Sequence, residues 1–240
     1  MSHPPAFFRL LQVFESWMQS ISTIPDDPFI DPVHFEWTER LEQCAPEILR
    51  EYLELREAGE PIPPFQEISK EQASITNDDR WRTFLLFAYG AKSLRNTELC
   101  PLTTRAIEAI PEMRTAFFSI LAPGKIIPPH RGPYKGLVRC HLALKIPDGD
   151  CGLKARGEHR KWMTGKCLFF DDTLTHEAWN NTSEERVVLF LDILRPLRTP
   201  YGKWNDRVIY WIASSYYGKK SIRTFSDWYA RHGIRNDAVI

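Results

Sequence analysis

Two imidazoles and a guanidinium stand at the ends of apolar runs in this chain. His130 follows Pro128 and Pro129 and precedes Arg131 and Gly132 in IPPHRGPYKGLVRCHLAL, residues 127–144. His176 closes FFDDTLTH, residues 169–176, and Arg186 opens RVVLFLDIL, residues 186–194. Between them, Arg139 and His141 are one residue apart, so a strand there turns both toward one face. An arginine at the head of a nearly all-apolar strand is costly if buried alone and calls for an anionic partner. Its guanidinium forks a carboxylate through two parallel hydrogen bonds. Imidazoles suit iron, and an iron site with open positions takes a 2-oxoacid and dioxygen. The usual third ligand is a carboxylate two residues after the first histidine. Gly132 holds that place, so spacing alone does not define an iron site. Taken by itself, a strand face carrying Arg139, His141 and Lys145 reads as a solvated surface.

The elements that must position these residues change in kind along the chain. Residues 6–21 set Phe7, Leu10, Leu11, Phe14, Trp17, Met18 and Ile21 at helical spacing, which predicts an amphipathic helix. Packing on the domain is the favoured use of its apolar face, because most helix stability comes from a buried stripe. Its polar face is poor in Lys and Arg, which weakens a membrane-surface role. After the proline-rich link 22–32, a helical stretch over 33–57 carries Trp37, Leu41, Ile48, Leu49 and Leu53 as its apolar stripe. The prolines of 58–65 end it. From Trp81 the pattern is that of strands: RTFLLFAYG, TAFFSIL, LVRCHLALKIP, KCLFFDD and RVVLFLDIL are short, apolar and bounded by Gly, Pro, Asn or Asp. Within LVRCHLALK, Val138, Cys140, Leu142 and Leu144 form the core face. A helix with a threonine cap is expected over 100–110, and the turn PDGDCG, 147–152, predicts a hairpin-like connection. Residues 203–240, with Trp204, Val208, Ile209, Trp211 and Ile212, read as helical. The expected fold is mainly β with flanking helices, a sandwich or jelly-roll barrel. Its parts are an N-terminal helical extension packing on the barrel (1–80), the barrel (81–200) and a C-terminal helical segment (201–240).

Composition narrows the function classes. With 240 residues, 43% of them hydrophobic, the chain can bury one substantial core. Lys plus Arg equals Asp plus Glu at 31 each, which gives no electrostatic case for nucleic acid. Cys44, Cys100, Cys140, Cys151 and Cys167 are odd in number and lack CxxC spacing, so neither a zinc site nor a disulfide framework is indicated. No leader and no run of transmembrane length is read. The expected location is the cytoplasm, a reducing compartment, with peripheral membrane contact compatible.

The segments 119–133 (SILAPGKIIPPHRGP), 138–147 (VRCHLALKIP), 161–182 (KWMTGKCLFFDDTLTHEAWNNT) and 186–196 (RVVLFLDILRP) together resemble the aspartyl/asparaginyl β-hydroxylase family of iron(II)- and 2-oxoglutarate-dependent dioxygenases. The resemblance extends back to WRTFLLFAYG, 81–90, and the Cys100-Pro101 turn, and covers roughly half the chain. It implies a double-stranded β-helix, the cupin-like form of the jelly roll. It also implies iron held by two histidines, with water in place of the carboxylate, so that Gly132 fits the pattern. His130 and His176 match the iron ligands. Arg186 and Ser119 match the residues that hold the distal carboxylate of 2-oxoglutarate. Arg139 and His141 match residues lining the same pocket, on the cosubstrate or on an anionic group of the substrate; the alternative for Arg139 is that it only pairs with a nearby Asp, such as Asp172, and orders the barrel. The implied cofactors are Fe(II), 2-oxoglutarate and O2, and the implied reaction inserts oxygen into an unactivated C–H bond. Asp171 and Asp172 read as turn-capping or supporting residues and Trp179 as packing. His3, His34, His159 and His232 are given no role.

The leading expectation for the substrate is an aspartyl or asparaginyl side chain. The alternative is a lipid-linked acyl chain of the lipid A type, favoured by the helix-rich N-terminus and by LFLDILRP. Both fit an anionic small-molecule, peptidyl or acyl substrate. Two other classes compete: a halogenase, in which chloride fills the space beside glycine, and a barrel that binds a carboxylate without turnover. Chloride-dependent product mass would identify the first, and failure to bind iron the second.

Overall fold

The computed structural model describes residues 6–69, 73–214, 216–235 and 238–239. The chain opens with α1 (Ala6–Ile21), a short strand β1 (Phe29–Ile30) and a 3-10 turn (Pro32–His34), followed by α2 (Thr38–Gln43), α3 (Ala45–Glu57) and α4 (Phe65–Ile68). Then come β2 (Trp81–Ala88), β3 (Ala91–Ser93), α5 (Leu94–Leu99), α6 (Pro101–Glu108), β4 (Met113–Leu121), β5 (Lys125–His130), β6 (Leu137–Lys145), β7 (Cys151–Ala155) and β8 (Glu158–Arg160). The last elements are β9 (Cys167–Phe170), β10 (His176–Asn180), β11 (Arg186–Leu194), α7 (Tyr201–Ser214), α8 (Tyr216–Arg231) and β12 (Ala238–Val239). His3 and the side chains of 6–12 and 212–222, among them Phe7, Leu10, Leu11 and Ile212, lie outside the described residues.

The strands form two antiparallel sheets, one ordered β1-β9-β6-β11-β4-β2-β3-β12 and the other β5-β10-β7-β8. From β4 to β11 the chain passes back and forth between them, with the β7–β8 hairpin as the only stop within one sheet. That winding is a double-stranded β-helix, the jelly-roll barrel expected. It corrects one reading: PDGDCG does not close a hairpin but carries the chain from β6 in the large sheet to β7 in the small one.

Alternation sorts side chains into two cores. The outward face of the large sheet, with Val138, Cys140, Leu142, Leu144, Val187, Leu189 and Leu191, is buried beneath α2, α3 and α6. The inward face lies between the sheets with Trp81, Leu121, Ala143, Phe170 and Val188, opposite Ile127, Leu153 and Ala178 of the small sheet. Arg139 and His141 therefore point into the barrel, and the solvated-face reading of that stretch falls away.

The helical expectations need three changes. The stretch 33–57 is not one helix: it breaks at Cys44, where Pro46 falls in the first turn of α3 and cannot continue the preceding hydrogen-bond ladder. Its buried stripe runs through Ile48, Tyr52 and Leu55, while Leu53 is exposed. The helix over 100–110 exists as α6, but no threonine caps it. Glu51 of α3 does so from across the interface, accepting from Leu102 N and Thr103 N at 2.7 Å each. The N-terminal region is also more than a helical extension, since its β1 pairs with β9 at the edge of the large sheet.

Candidate active site

The two histidines meet because their strands pair. His176 at the start of β10 is the register partner of His130 at the end of β5, and the rings lie 4.1 Å apart between centroids. The ladder is irregular between His176 and Ala178, opposite Pro128 and Pro129, and β5 is an edge strand where proline removes no needed donor. Each Nδ1 lies near a main-chain carbonyl two residues back, Pro128 O at 2.8 Å for His130 and Leu174 O at 2.9 Å for His176. A carbonyl only accepts, so both Nδ1 atoms carry the proton and both Nε2 atoms keep a lone pair. Burial lowers the pKa of each. That of His176 falls to about 3, with the nearby charges of His130 and Arg139 adding to the effect. Neutral, oriented imidazoles with free Nε2 atoms are what a metal ion needs. Among the described residues, no cluster of three His, Cys, Asp or Glu side chains has metal-binding geometry.

Beside the pair is a buried cation. Arg186 is 1% exposed, and among the described residues no carboxylate pairs with it. Its Nη1 reaches Ser119 O at 3.2 Å and Ser119 Oγ at 3.4 Å, its guanidinium lies 4.8 Å from the Trp162 ring, and its Nε has no partner. Burial lowers its pKa to about 10, which leaves it protonated at neutral pH. Asn180 fixes the approach to β11, its Nδ2 donating to Leu121 O at 3.0 Å and Glu184 O at 2.7 Å. His141 faces the same interior. Trp162 Nε1 donates to its Nδ1 at 3.3 Å, which places the proton on Nε2, and that buried atom is also unpartnered. Two orphaned donors in one dry space, one of them cationic, fit a carboxylate.

Arg139 makes the pairing with Asp172 that was its alternative role, and a second one with Asp192. Its Nε donates to Asp192 at 2.9 Å, its Nη2 lies 3.0 Å from Asp172, and its guanidinium sits 4.3 Å above the Phe190 ring. The charge expected to be free for cosubstrate or substrate is already faced by two carboxylates, and the residue's visible work is to hold Asp172 and Asp192 in place. Asp172 in turn explains Gly132. Gly132 N donates to Asp172 O at 2.7 Å, and a Cβ at 132 would collide with the Asp172 carboxylate. The space a side chain at 132 would need is thus filled by the Asp172 carboxylate, which is paired with Arg139. Burial raises the Asp172 pKa to about 6 against the pull of Arg139, and its Oδ1 has no partner.

Asp171 anchors the turn that carries these groups. It accepts from Arg195 at 2.5 Å, Lys135 at 2.8 Å, and the Thr173 hydroxyl at 2.6 Å. Burial alone would raise its carboxyl, but Arg195 and Lys135 more than offset this and its pKa is lowered. Trp179 does pack, against His159 at 4.9 Å, and donates to Asp150. Sequence reasoning missed Trp162, Asp192, Lys135 and Arg195. The only signal for Arg195 was a cation directly after an apolar run, and Lys135, between Tyr134 and Gly136, had none of that kind.

The neutral histidine pair on one sheet could hold a metal ion, and the buried arginine on the other, without a carboxylate partner among the described residues, could hold a carboxylate. The chain belongs to the aspartyl/asparaginyl beta-hydroxylase family, whose model matches residues 42–196. It is 39% identical over 206 residues to an ornithine lipid ester-linked acyl 2-hydroxylase of Rhizobium tropici, covering 83% of this chain and 73% of that protein. It is 38% identical over 130 residues to human aspartate beta-hydroxylase domain-containing protein 2 and 31% over 135 residues to human aspartyl/asparaginyl beta-hydroxylase. Those alignments cover 50% and 54% of this chain, but only 35% and 18% of the human proteins. Among solved structures, a Pseudomonas putida prolyl-4-hydroxylase superposes with a TM-score of 0.41 at 17% identity, over 63% of this chain and 87% of the other. Family membership makes this chain a hydroxylase. Among the described residues, no helix is long and apolar enough to cross a membrane.

Proposed function

We propose that the protein is an iron(II)- and 2-oxoglutarate-dependent oxygenase that hydroxylates an ester-linked fatty acyl chain of a membrane lipid. The observation that carries the substrate class is the extent of likeness. The match to the Rhizobium acyl hydroxylase spans 206 residues and reaches well beyond the barrel, whereas the matches to the human proteins cover about half of this chain. Arg139 favours the same reading. An aspartyl substrate brings a carboxylate to the reacting carbon, and the arginine placed to receive it is occupied by Asp172 and Asp192. The second carbon of an ester-linked acyl chain brings no charge.

The residues fit the cofactors. Nε2 of His130 and of His176 would hold the iron. Arg186, with Ser119 and the Nε2–H of His141, would hold the distal carboxylate of 2-oxoglutarate. When bound, iron and 2-oxoglutarate supply the oxidising power: dioxygen is consumed, 2-oxoglutarate becomes succinate and carbon dioxide, and one oxygen atom enters the C–H bond. The chain's own work is to keep both imidazoles neutral and aimed, to orient the 2-oxoacid on a buried cation, and to exclude water. Phe117 and Phe190, stacked at 4.0 Å, and Phe170 line that interior.

The test is product mass. With iron(II), 2-oxoglutarate and air, a lipid bearing an ester-linked acyl chain should gain one oxygen at the second acyl carbon, with one succinate formed per product. Hydroxylation of an aspartyl peptide in its place, or product formation without 2-oxoglutarate, would overturn the proposal.

A further inference from the structure

On α7, Tyr201, Trp204, Val208 and Trp211 recur at three- and four-residue spacing and so share a stripe, with Lys203, Arg207 and Tyr210 forming the adjoining one. Tyr210 is 66% exposed and Trp211 69%, and Trp204 and Tyr201 are each exposed at 37%. α1 lies alongside, with Trp17 at 5.3 Å from Trp204 and 5.9 Å from Tyr201 between ring centroids, and with Val13 exposed beyond it. The buried side of α7 is supplied by Asn205 and Ile209. These aromatics therefore belong to a surface rather than to the core. An aromatic face exposed to this extent among the described residues marks an interaction surface.

Charge and position say which partner. Arg198, Lys203 and Arg207 are exposed around the aromatics, and among the described residues none has a carboxylate partner. The one acid between them, Asp206, is taken by Arg114. Tryptophan and tyrosine beside unneutralised cations suit the headgroup layer of an anionic bilayer, where a ring enters the apolar boundary and its polar edge stays wet. The face also joins the active site. Tyr134, four residues after His130, lies 6.0 Å from the Phe14 ring and donates to Asn205 of α7 at 2.6 Å, and Arg131 is paired with Glu15 of α1 at 2.9 Å. The loop between the candidate iron ligand and β6 is thus clamped between the two helices that carry the exposed rings.

We infer that the exposed face of α1 and α7 docks the protein on an anionic lipid surface and brings the barrel mouth to the bilayer. This rests on the acyl-chain reading, since such a substrate lies in a membrane. The test is co-sedimentation of the full chain with phosphatidylcholine vesicles, with and without phosphatidylglycerol. Binding is expected to the anionic vesicles and to weaken with salt. Tyr210→Ser with Trp211→Ser should reduce partitioning by about tenfold or more, as loss of buried aromatic area does. Lys203→Glu with Arg207→Glu should do the same without removing a ring, and Met163→Ser, equally exposed elsewhere, should change nothing. Absence of binding to either vesicle, binding by both double variants undiminished from that of the parent, or a dimer in solution that the Tyr210→Ser, Trp211→Ser pair abolishes would overturn the docking surface. A short water-soluble acyl ester separates the two proposals. Its hydroxylation without vesicle binding removes the docking and keeps the function, while vesicle binding with no acyl ester hydroxylated does the reverse.

Discussion

The eight-stranded and four-stranded sheets face each other across one interior but are made of different sequence material and carry different parts of the site. The large sheet supplies Ser119, His141 and Arg186 from long strands whose outer faces are sealed by helices. Its contribution is a rigid, dry, cationic floor. The small sheet supplies both histidines from short strands, one of them an edge strand interrupted by two prolines. Its geometry comes less from a packed core than from specific bonds: carbonyls to each Nδ1, and the Asp171–Arg195–Lys135 cluster behind the turn leading into β10. The lesson is that the half proposed to bind a carboxylate is held by burial and the half proposed to bind a metal by polar contacts. The two should fail in different ways.

The largest effect is expected from His176→Ala. It removes one of two proposed ligands without disturbing the large sheet, and succinate release should fall to background while the thermal melt stays close to that of the parent. Full activity in the variant would break the assignment of the metal half. Next is Asp171→Asn, which removes the carboxylate paired with buried Arg195 and leaves Lys135 only its pairing with the half-exposed Asp26. Removing one partner of such a cluster costs about 3–5 kcal/mol, to be read from urea unfolding. The pH dependence follows from the lowered Asp171 pKa. Its stabilisation is complete above the unfolded carboxyl pKa, about 4, and is lost as pH falls through that value toward the folded one. The variant should therefore lose stability less steeply on acidification than the parent.

The contrast also explains what could be read from the sequence. β2, β4, β6 and β11 are nearly continuous runs of Phe, Val, Ile and Leu because the large sheet is buried on both faces, and they were legible. β5 and β10, IIPPH and HEAWN in the main, show neither alternation nor an apolar run, and the proline pair reads as a turn. The strands that hold the proposed metal ligands thus came into view only through the resemblance of whole motifs. Arg186 was legible from its own chemistry, as a cation heading an apolar strand. Of the two carboxylates on Arg139, Asp172 was an expected alternative partner but Asp192 was not, because no periodicity tells that residues 139 and 192 meet in space. Likewise Glu51 capping α6 is a contact between separate helices, invisible to a local cap rule.

Two smaller effects sharpen the contrast on the side of the large sheet. Arg186→Lys keeps the charge and loses the planar fork, so the 2-oxoglutarate requirement should rise roughly 10- to 100-fold, the loss of a charged hydrogen bond, with little change in stability. An unchanged requirement would make Arg186 structural. Glu51→Ala acts behind the sheet, far from chemistry. It uncaps α6 at a cost of about 1–2 kcal/mol in unfolding experiments, while activity per folded molecule should stay the same.

The central claim is that the histidine pair and Arg186 together form an iron and 2-oxoglutarate site, and an anaerobic titration tests it without a substrate. Iron(II) is added to the purified chain under argon, then 2-oxoglutarate, and the weak visible charge-transfer band of the chelate is followed. The parent should develop the band at saturating 2-oxoglutarate, Arg186→Lys should need more 2-oxoglutarate to reach it, and His176→Ala should not develop it. A folded parent that binds iron without developing the band, or a band undiminished in His176→Ala, would contradict the account.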